Sequence, residues 1–511
     1  MTCINLLIIF KLQPVGEAFF ASTNRATGTN PCLPRTHVPA LQTIRDWVNS
    51  DLSSPLFWLC GSAGSGKSTI AYTIAQECSD SGASFFFSRA RLSLRESRLV
   101  FQTIAFQLRN NYPLLRAPIS RALEDRSVLT ANSEAQFQKF ILNPILQTQA
   151  HLPDRLVIVI DALDECDDNI ILNVIGVLAP TLEKCDPFIR ARLRFLVTSR
   201  PEKNLVEFFT KLQIPSFDMS NVNPEDKKKD ICIFLKDELR KLSDATSYEL
   251  DEEDVQLLAK ISGGVFIAAR IAVDFVAFGK SPISQLRKLR NAGHLSGLDV
   301  VYRLVLDDMA EESLVWDILQ PIGTIVLSFS PLSREAISDL LRIGPERLDR
   351  LLDALRPVIH VRKGDAIYPI HASLRDFLTD PDRCTDSRIF VDPIYHHSMI
   401  SRACFDRMTS LLQEPDLRDM GRDGKKFLPE SLTYVCQYWP RHLAESNLDQ
   451  SLVDRLDDFA SARLLYWIER LRLVGDLDLG ISGLGIVISV LVASVFPMIV
   501  NTKLKIQPLA L

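Results

Sequence analysis

Residues 56–75 read LFWLCGSAGSGKSTIAYTIA, an apolar run of strand length, a glycine-rich turn and then a run with helical character. Few stretches constrain a fold as tightly, because a strand must end in a tight loop that at once opens a helix. Gly61, Gly66, Lys67 and Ser68 fill every fixed place of the pattern G, four residues, G, K, then S or T. Glycine suits such a loop because successive backbone N–H groups can then curl around an oxyanion that a side chain would obstruct. The loop Gly61, Ser62, Ala63, Gly64, Ser65, Gly66, Lys67, Ser68 and Thr69 is therefore expected to cradle the phosphates of a nucleoside triphosphate. Lys67 is expected at the β- and γ-phosphates and the Ser68 hydroxyl on Mg²⁺, with the helix N-terminus facing the anion.

Phosphoryl chemistry also needs an acid near the metal. Leu156 to Ile160 is a continuous β-branched run of the kind buried on both faces of a parallel sheet, and it ends in Asp161-Ala162-Leu163-Asp164-Glu165. A carboxylate at the C-terminal tip of such a strand sits where open α/β sheets bind ligands. Asp161 is accordingly assigned to the Mg²⁺ shell through a bridging water. Asp164 and Glu165 follow it, and either can orient or deprotonate an attacking water. A third strand, Arg194 to Thr198, leads into Ser199-Arg200-Pro201, and Arg200 is a candidate reader of the γ-phosphate. With Ala83 to Phe87 and Ile214 to Met219, five candidate strands alternate with helical segments, which predicts an α/β fold with a parallel P-loop NTPase sheet.

FWLCGSAGSGKSTIA, LVIVIDALDEC and RFLVTSRPE, in this order, resemble the NACHT branch of the STAND P-loop ATPases, and within it the fungal NLR-like proteins. CLPRTHVPALQTIRDWV, HASLRDFL, YVCQYWPRHL and ARLLYWIERLRLVG extend the likeness over residues 30 to 475. The resemblance implies an ATP/ADP switch with Mg²⁺: ADP holds a closed state, and ATP opens the molecule so that it oligomerises. It also implies that Ser262-Gly263-Gly264 matches a glycine-bearing helical element below the nucleotide, although the proline of other members is missing. By the same likeness, His371, in HASLRDFL, stands where relatives sense the ADP β-phosphate; the alternative is a histidine satisfied within its own module.

The 511 residues, 47% hydrophobic, are enough for several domains. The expected order is an extension or linker over 1–40, the NTPase core over 41–220 and a helical domain over 221–315. A winged-helix domain over 316–382 and a C-terminal helical region over 383–475 follow. The winged helix is read from Ser330-Pro331-Leu332-Ser333, a helix-opening signal, from a second helix over 345–355, and from two short strands flanking Lys363-Gly364-Asp365. Its second helix mixes Glu346, Asp349 and Asp353 with Arg347 and Arg350, which suits phosphate docking poorly. The net charge of −5 likewise supplies no basic field, so no nucleic-acid partner is expected. The charge-rich stretch over 223–254 is expected to be solvated.

The ten cysteines are scattered without a CxxC pair, which argues against zinc and for a reducing, cytoplasmic setting. Residues 479–500 carry no charge over 22 positions. Three readings stand there: a transmembrane anchor, a buried hydrophobic tail, or a translated gene-model error where a sensor repeat array would begin. Residues 1–12 lack a basic segment, which speaks against a signal peptide, and the chain before residue 41 leaves no room for an effector module. Three functions remain open, in descending order: a slow ATPase acting as a switch with unidentified protein partners, a nucleotide-stabilised scaffold, and a small-molecule kinase.

Overall fold

The computed structural model describes residues 14–19, 30–79, 82–88, 94, 97–148, 153–166, 168–245, 251–279, 281–292, 296–310, 315–361, 366–412 and 429–504. The expectations for residues 1–12, Cys3 and the turn at Gly364 lie outside them. The chain divides into two compact units, Met1–Val301 and Tyr302–Leu511.

The first unit is built on five parallel strands, β1 (Leu56–Cys60), β2 (Gly82–Phe86), β3 (Leu156–Asp161), β4 (Leu193–Ser199) and β5 (Ser216–Asp218), in the order β2-β3-β4-β1-β5. All five match runs read from the sequence, with ends shifted by a residue or two. Alternate residues of β1 serve opposite layers, as the pleat requires. Leu56, Trp58 and Cys60 join one core with Ile158, Ile160, Phe195 and Val197. Phe57 and Leu59 join the other with Val157, Val159 and Leu196, against α1 (Val38–Asn49) and α2 (Lys67–Glu77). The result is a three-layer α/β unit. Residues 14–19, read as part of the extension, add Val15 and Ala18 to the first core.

β2 is an edge strand, whose outward backbone groups need partners. Helix α3 (Arg98–Asn111) supplies them. Gln107 Oε1 accepts from Ser84 N at 3.0 Å and its Nε2 donates to Ser84 O at 2.7 Å, while Asn111 Nδ2 donates to Gly82 O at 2.9 Å. Two side-chain amides thus stand in for a sixth strand. Gln107→Leu should destabilise the fold by about 1–3 kcal/mol, because it strands a buried N–H and C=O; a lowered urea midpoint is the measurement, and an unchanged midpoint removes the idea.

After the sheet come α4 (Pro224–Ala245), α5 (Glu252–Ser262), α6 (Phe266–Phe278) and α7 (Pro282–Asn291). Within the charged stretch that forms α4 and opens α5, Glu225, Asp226, Lys228 and Lys229 are solvated as expected, but Asp230 and Asp254 are buried. Asp254 is 1% exposed. It closes a capping box with Asp251 at the start of α5 and accepts from Arg290 Nη2 at 2.9 Å. Gly263 and Gly264, at φ of 59° and 82°, turn the chain from α5 into α6.

In the second unit, α8 (Val315–Leu327), α9 (Arg334–Leu341) and α10 (Pro345–Leu355) precede an antiparallel ribbon of β6 (Ile359–His360) and β7 (Tyr368–Pro369). Leu332 bridges Ile367 beside that ribbon. This is the helix, helix, ribbon order read from the sequence, and Ser333 caps α9 by accepting from Ala336 N, as its sequence signalled. Helices α11 (Pro393–Leu411), α12 (Glu430–Ala444), α13 (Gln450–Ala462) and α14 (Leu464–Val474) follow, with Phe405, Trp439, Phe459 and Trp467 packed together. All four are buried.

Helix α15 (Leu477–Leu504) contains the uncharged stretch. Its first turns dock on this unit: a Cβ at Gly483 would stand 2.9 Å from Pro440 Cγ, and Val487 is buried. Ile481, Ile488 and Val492 remain exposed. Among the described residues, no helix is long and apolar enough to cross a membrane.

Candidate phosphate-binding site

Parallel strands deliver their C-terminal ends to one edge of the sheet, and the order places β4 between β1 and β3. Register does the rest. Cys60 pairs with Ser199, and Ile160 with Val197, so the tips that carry Gly61, Arg200 and Asp161 lie side by side. This edge is where open α/β sheets receive ligands.

After Cys60 the chain forms the loop Gly61 to Gly66, and Gly66 caps α2 at φ 96°. Gly64 also takes a positive φ, of 70°. Crowding joins conformation in excluding side chains, since a Cβ at Gly64 would overlap Ile267 and one at Gly66 the ring of His37. Ser62, Ala63, Ser65 and Thr69 complete the loop and the first turn of α2, and Lys67 is buried. Its Nζ donates to Gly61 O at 2.8 Å and Ser62 O at 2.9 Å. Burial pulls the ammonium below its usual pKa, while the negative charges of Asp164 and Asp161 oppose that shift.

Asp161 is buried at the tip of β3. Desolvation raises its carboxyl, against hydrogen bonds from Thr198 and Ser68 and the charge of Lys67. Thr198 Oγ1 donates to Asp161 Oδ1 at 2.6 Å and accepts from Ala162 N at 3.0 Å. Ala162 is left-handed at φ 57°, a conformation unfavourable for a residue with a Cβ, and it turns the chain sharply so that Asp164 and Glu165 fold back beside the strand ends. Asp164 is buried and doubly held: Arg200 N donates to Oδ1 at 3.0 Å, and Arg200 Nε pairs with Oδ2 at 3.1 Å. Arg200 therefore clamps Asp164 in this arrangement. Glu165, half-buried, is the acid of the pair that Arg200 does not clamp through those bonds.

Ser68 and Asp161 offer a hydroxyl and a carboxylate already in hydrogen-bond contact, a hard-oxygen pair that suits Mg²⁺. Among the described residues no group of three or more His, Cys, Asp or Glu forms a metal cage. Mg²⁺ sites commonly have few protein ligands, the rest being water and phosphate.

The structure thus brings Lys67, Ser68, Asp161, Asp164, Glu165 and Arg200 to one place. His371 belongs to the second unit. There its Nδ1 accepts from Ser373 N at 3.1 Å and pairs with Ser373 Oγ at 2.6 Å, and Ser373 Oγ in turn bonds Tyr302 Oη at 2.9 Å. An acceptor role at Nδ1 leaves the hydrogen on Nε2.

Three residues near the loop were not singled out from the sequence. Thr198 was read only as part of a strand, although a hydroxyl at the end of an apolar run was a usable signal. Phe266 N donates to Gly64 O at 3.0 Å, seating α6 on the loop. His37 packs over Gly66, and no local pattern marks it.

Residues 38–200 match the family model described as Nephrocystin 3, N-terminal. No curated protein matches the chain. Among solved structures, the chain is similar to a Walker-type ATPase of Pyrococcus abyssi, at 12% identity over 66% of this chain and 94% of that one, with a TM-score of 0.35. It is also similar to a STAND protein with a tetratricopeptide repeat sensor from Pyrococcus horikoshii, at 13% identity over 90% of this chain and 59% of that one, TM-score 0.39. Cdc6p of Pyrobaculum aerophilum gives 14% identity over 71% and 94%, TM-score 0.31. Likeness at this level assigns no residue a role. Strand order and loop define the class from the chain itself: an α/β P-loop NTPase fold followed by a helical region.

Proposed function

We propose that the chain is a STAND-type signalling switch of the fungal NLR-like class, off with ADP, on with ATP and Mg²⁺, and slow to hydrolyse. One observation carries the reading. The loop that would hold the phosphates is also held by the helical region, through Phe266 N on Gly64 O, so a change in the loop reaches α6 directly. In this role Gly61 to Thr69 bind phosphate, Ser68 and Asp161 hold Mg²⁺, and Glu165 and Asp164 act on water, with Arg200 reading charge on the transferred group. Mg²⁺ would supply charge neutralisation at the phosphates. His371 would report ADP from the winged helix, and the ATP form would assemble with further copies, serving non-self recognition or incompatibility in the cytoplasm.

The Arg200 clamp on Asp164 favours a second reading, a nucleotide-stabilised scaffold with little catalysis. The nucleotide that copurifies, combined with mass in solution before and after ATP-Mg²⁺, separates the two. Bound ADP with ATP-driven assembly supports the switch. Tight nucleotide with constant mass overturns it in favour of the scaffold, and rapid phosphate transfer to a small acceptor overturns both.

A further inference from the structure

His37 precedes the first helix of the fold and lies at a junction of four elements. It is non-glycine at φ 54°, and its carbonyl starts α1 by accepting from Leu41 N at 3.0 Å. Its own N–H donates to Asp230 Oδ2 on α4 at 2.8 Å, across 193 positions of sequence. Its ring fills the space over Gly66 and lies tilted against Phe266 of α6, with centroids 4.7 Å apart. Phe266 in turn meets Phe234 of α4 edge-on at 5.8 Å. Both His37 and Asp230 are buried.

We infer that His37 is a positioning residue that transmits the geometry of the phosphate loop to the helical region, its ring bearing on Gly66 and Phe266 and its main chain on Asp230. The inference rests on the switch reading and names the part that moves first. Gly66 is the residue at which the loop becomes α2, and its left-handed backbone admits no side chain of its own. A rotation of its peptide planes around a phosphate therefore meets the imidazole directly. The ring cannot yield alone, because Phe266 backs it and Asp230 fixes the backbone that carries it. Burial pushes His37 down to about 4, so the ring is neutral at pH 7 and acts by shape and ring contact, without charge attraction for phosphate. Asp230 is pushed up by burial and lowered by the His37 N–H, so the two ends of the linkage hold one another in place.

His37→Asn is the informative variant, since asparagine tolerates the left-handed backbone and keeps the N–H while deleting the ring. Asp230→Ala deletes the other end. Hydrogen exchange over 224–245 and 266–278 is measured with and without ADP and ATP-Mg²⁺, beside nucleotide Kd. In the parent chain nucleotide should change exchange in both helices. In either variant nucleotide should still bind, within about tenfold of the parent, and the change over 224–245 should vanish, while 266–278, still tied to the loop through Phe266 N on Gly64 O, keeps part of its response. The double variant should do no more than each single one, as expected for two parts of one linkage. A full helical response in His37→Asn overturns the inference while leaving the switch intact; a parent that binds nucleotide without any helical response overturns the switch reading itself. If His37→Asn fails to fold, Asp230→Ala decides by the same readout.

Discussion

Lys67→Ala raises the Kd for ATP by about 100-fold or more. A hydrogen bond to a charged group contributes about 1.5–3 kcal/mol, and a lysine shared between two phosphates makes two of them, so at least 3 kcal/mol is lost, about a factor of 100. The cost falls mainly on ligand. Without it, Lys67 Nζ donates to its own loop carbonyls, the buried Gly61 O and the part-buried Ser62 O, so alanine also costs the free fold about 1–3 kcal/mol for an acceptor left unpaired. Burial that lowers Lys67 also means that its removal relieves a desolvated ammonium. Calorimetric titration with ATP-Mg²⁺, beside a thermal melt without nucleotide, tests both halves. Unchanged affinity in the variant removes the site assignment, and with it every role given to Ser68 and Asp161.

That site was readable from sequence because its chemistry is written in contiguous residues. Glycines with Lys67 and Ser68 specify one kind of loop, and a β-branched run ending in Asp161 specifies a buried strand with an acid at its tip. Strand order was not readable. Nothing local says that β4, late in the chain, inserts between β1 and β3, yet this insertion puts Thr198 against Asp161 and Arg200 against Asp164. Charge patterning misled in one place. Asp230 and Asp254 sit in a run whose composition suggests solvation, and each is buried because a partner far along the chain, His37 N–H or Arg290, offsets its desolvation. In the second unit, nothing in the local sequence shows which polar groups the aromatics enclose.

Those enclosed groups make the fold acid-labile, starting well above the pH at which carboxylates titrate. His397 Nδ1 and His442 Nδ1 lie 2.8 Å apart, and His442 Nε2 lies 2.7 Å from Tyr434 Oη, which accepts from Phe329 N at 3.3 Å. Two assignments satisfy every group, because Tyr434 Oη also has Ser328 as a side-chain partner. In one, Phe329 N–H donates to Tyr434, Tyr434 O–H to His442 Nε2, and His442 Nδ1–H to His397 Nδ1; in the other, His442 Nε2–H donates to Tyr434, whose O–H turns to Ser328 Oγ, and His397 Nδ1–H donates to His442 Nδ1. In both, one proton lies between the two Nδ1 atoms and a second there would set donor against donor, while burial and the cation of Arg375 disfavour a charged ring at either position. Burial, with that charge, pushes His397 down to about 4 and His442 well below its ordinary value. In the unfolded chain both titrate near 6.5. Between about 6.5 and 4 the unfolded state thus binds protons that the folded state refuses, and stability falls as pH falls, by up to about 1.4 kcal/mol per pH unit for each histidine. Above 6.5 neither contributes a pH dependence; below about 4 the His397 share levels off while that of His442 continues. Carboxyls raised by burial, such as Asp161 and Asp274, act with opposite sign. They are common to parent and variant and cancel in a comparison. His442→Gln keeps an amide donor and acceptor without a titrating group, so urea midpoints for it between pH 6 and 5 should fall less steeply than the parent's, by one proton's worth of slope. Equal slopes would mean that His442 takes up its proton in the folded state, and the lowered titration given to it would fall.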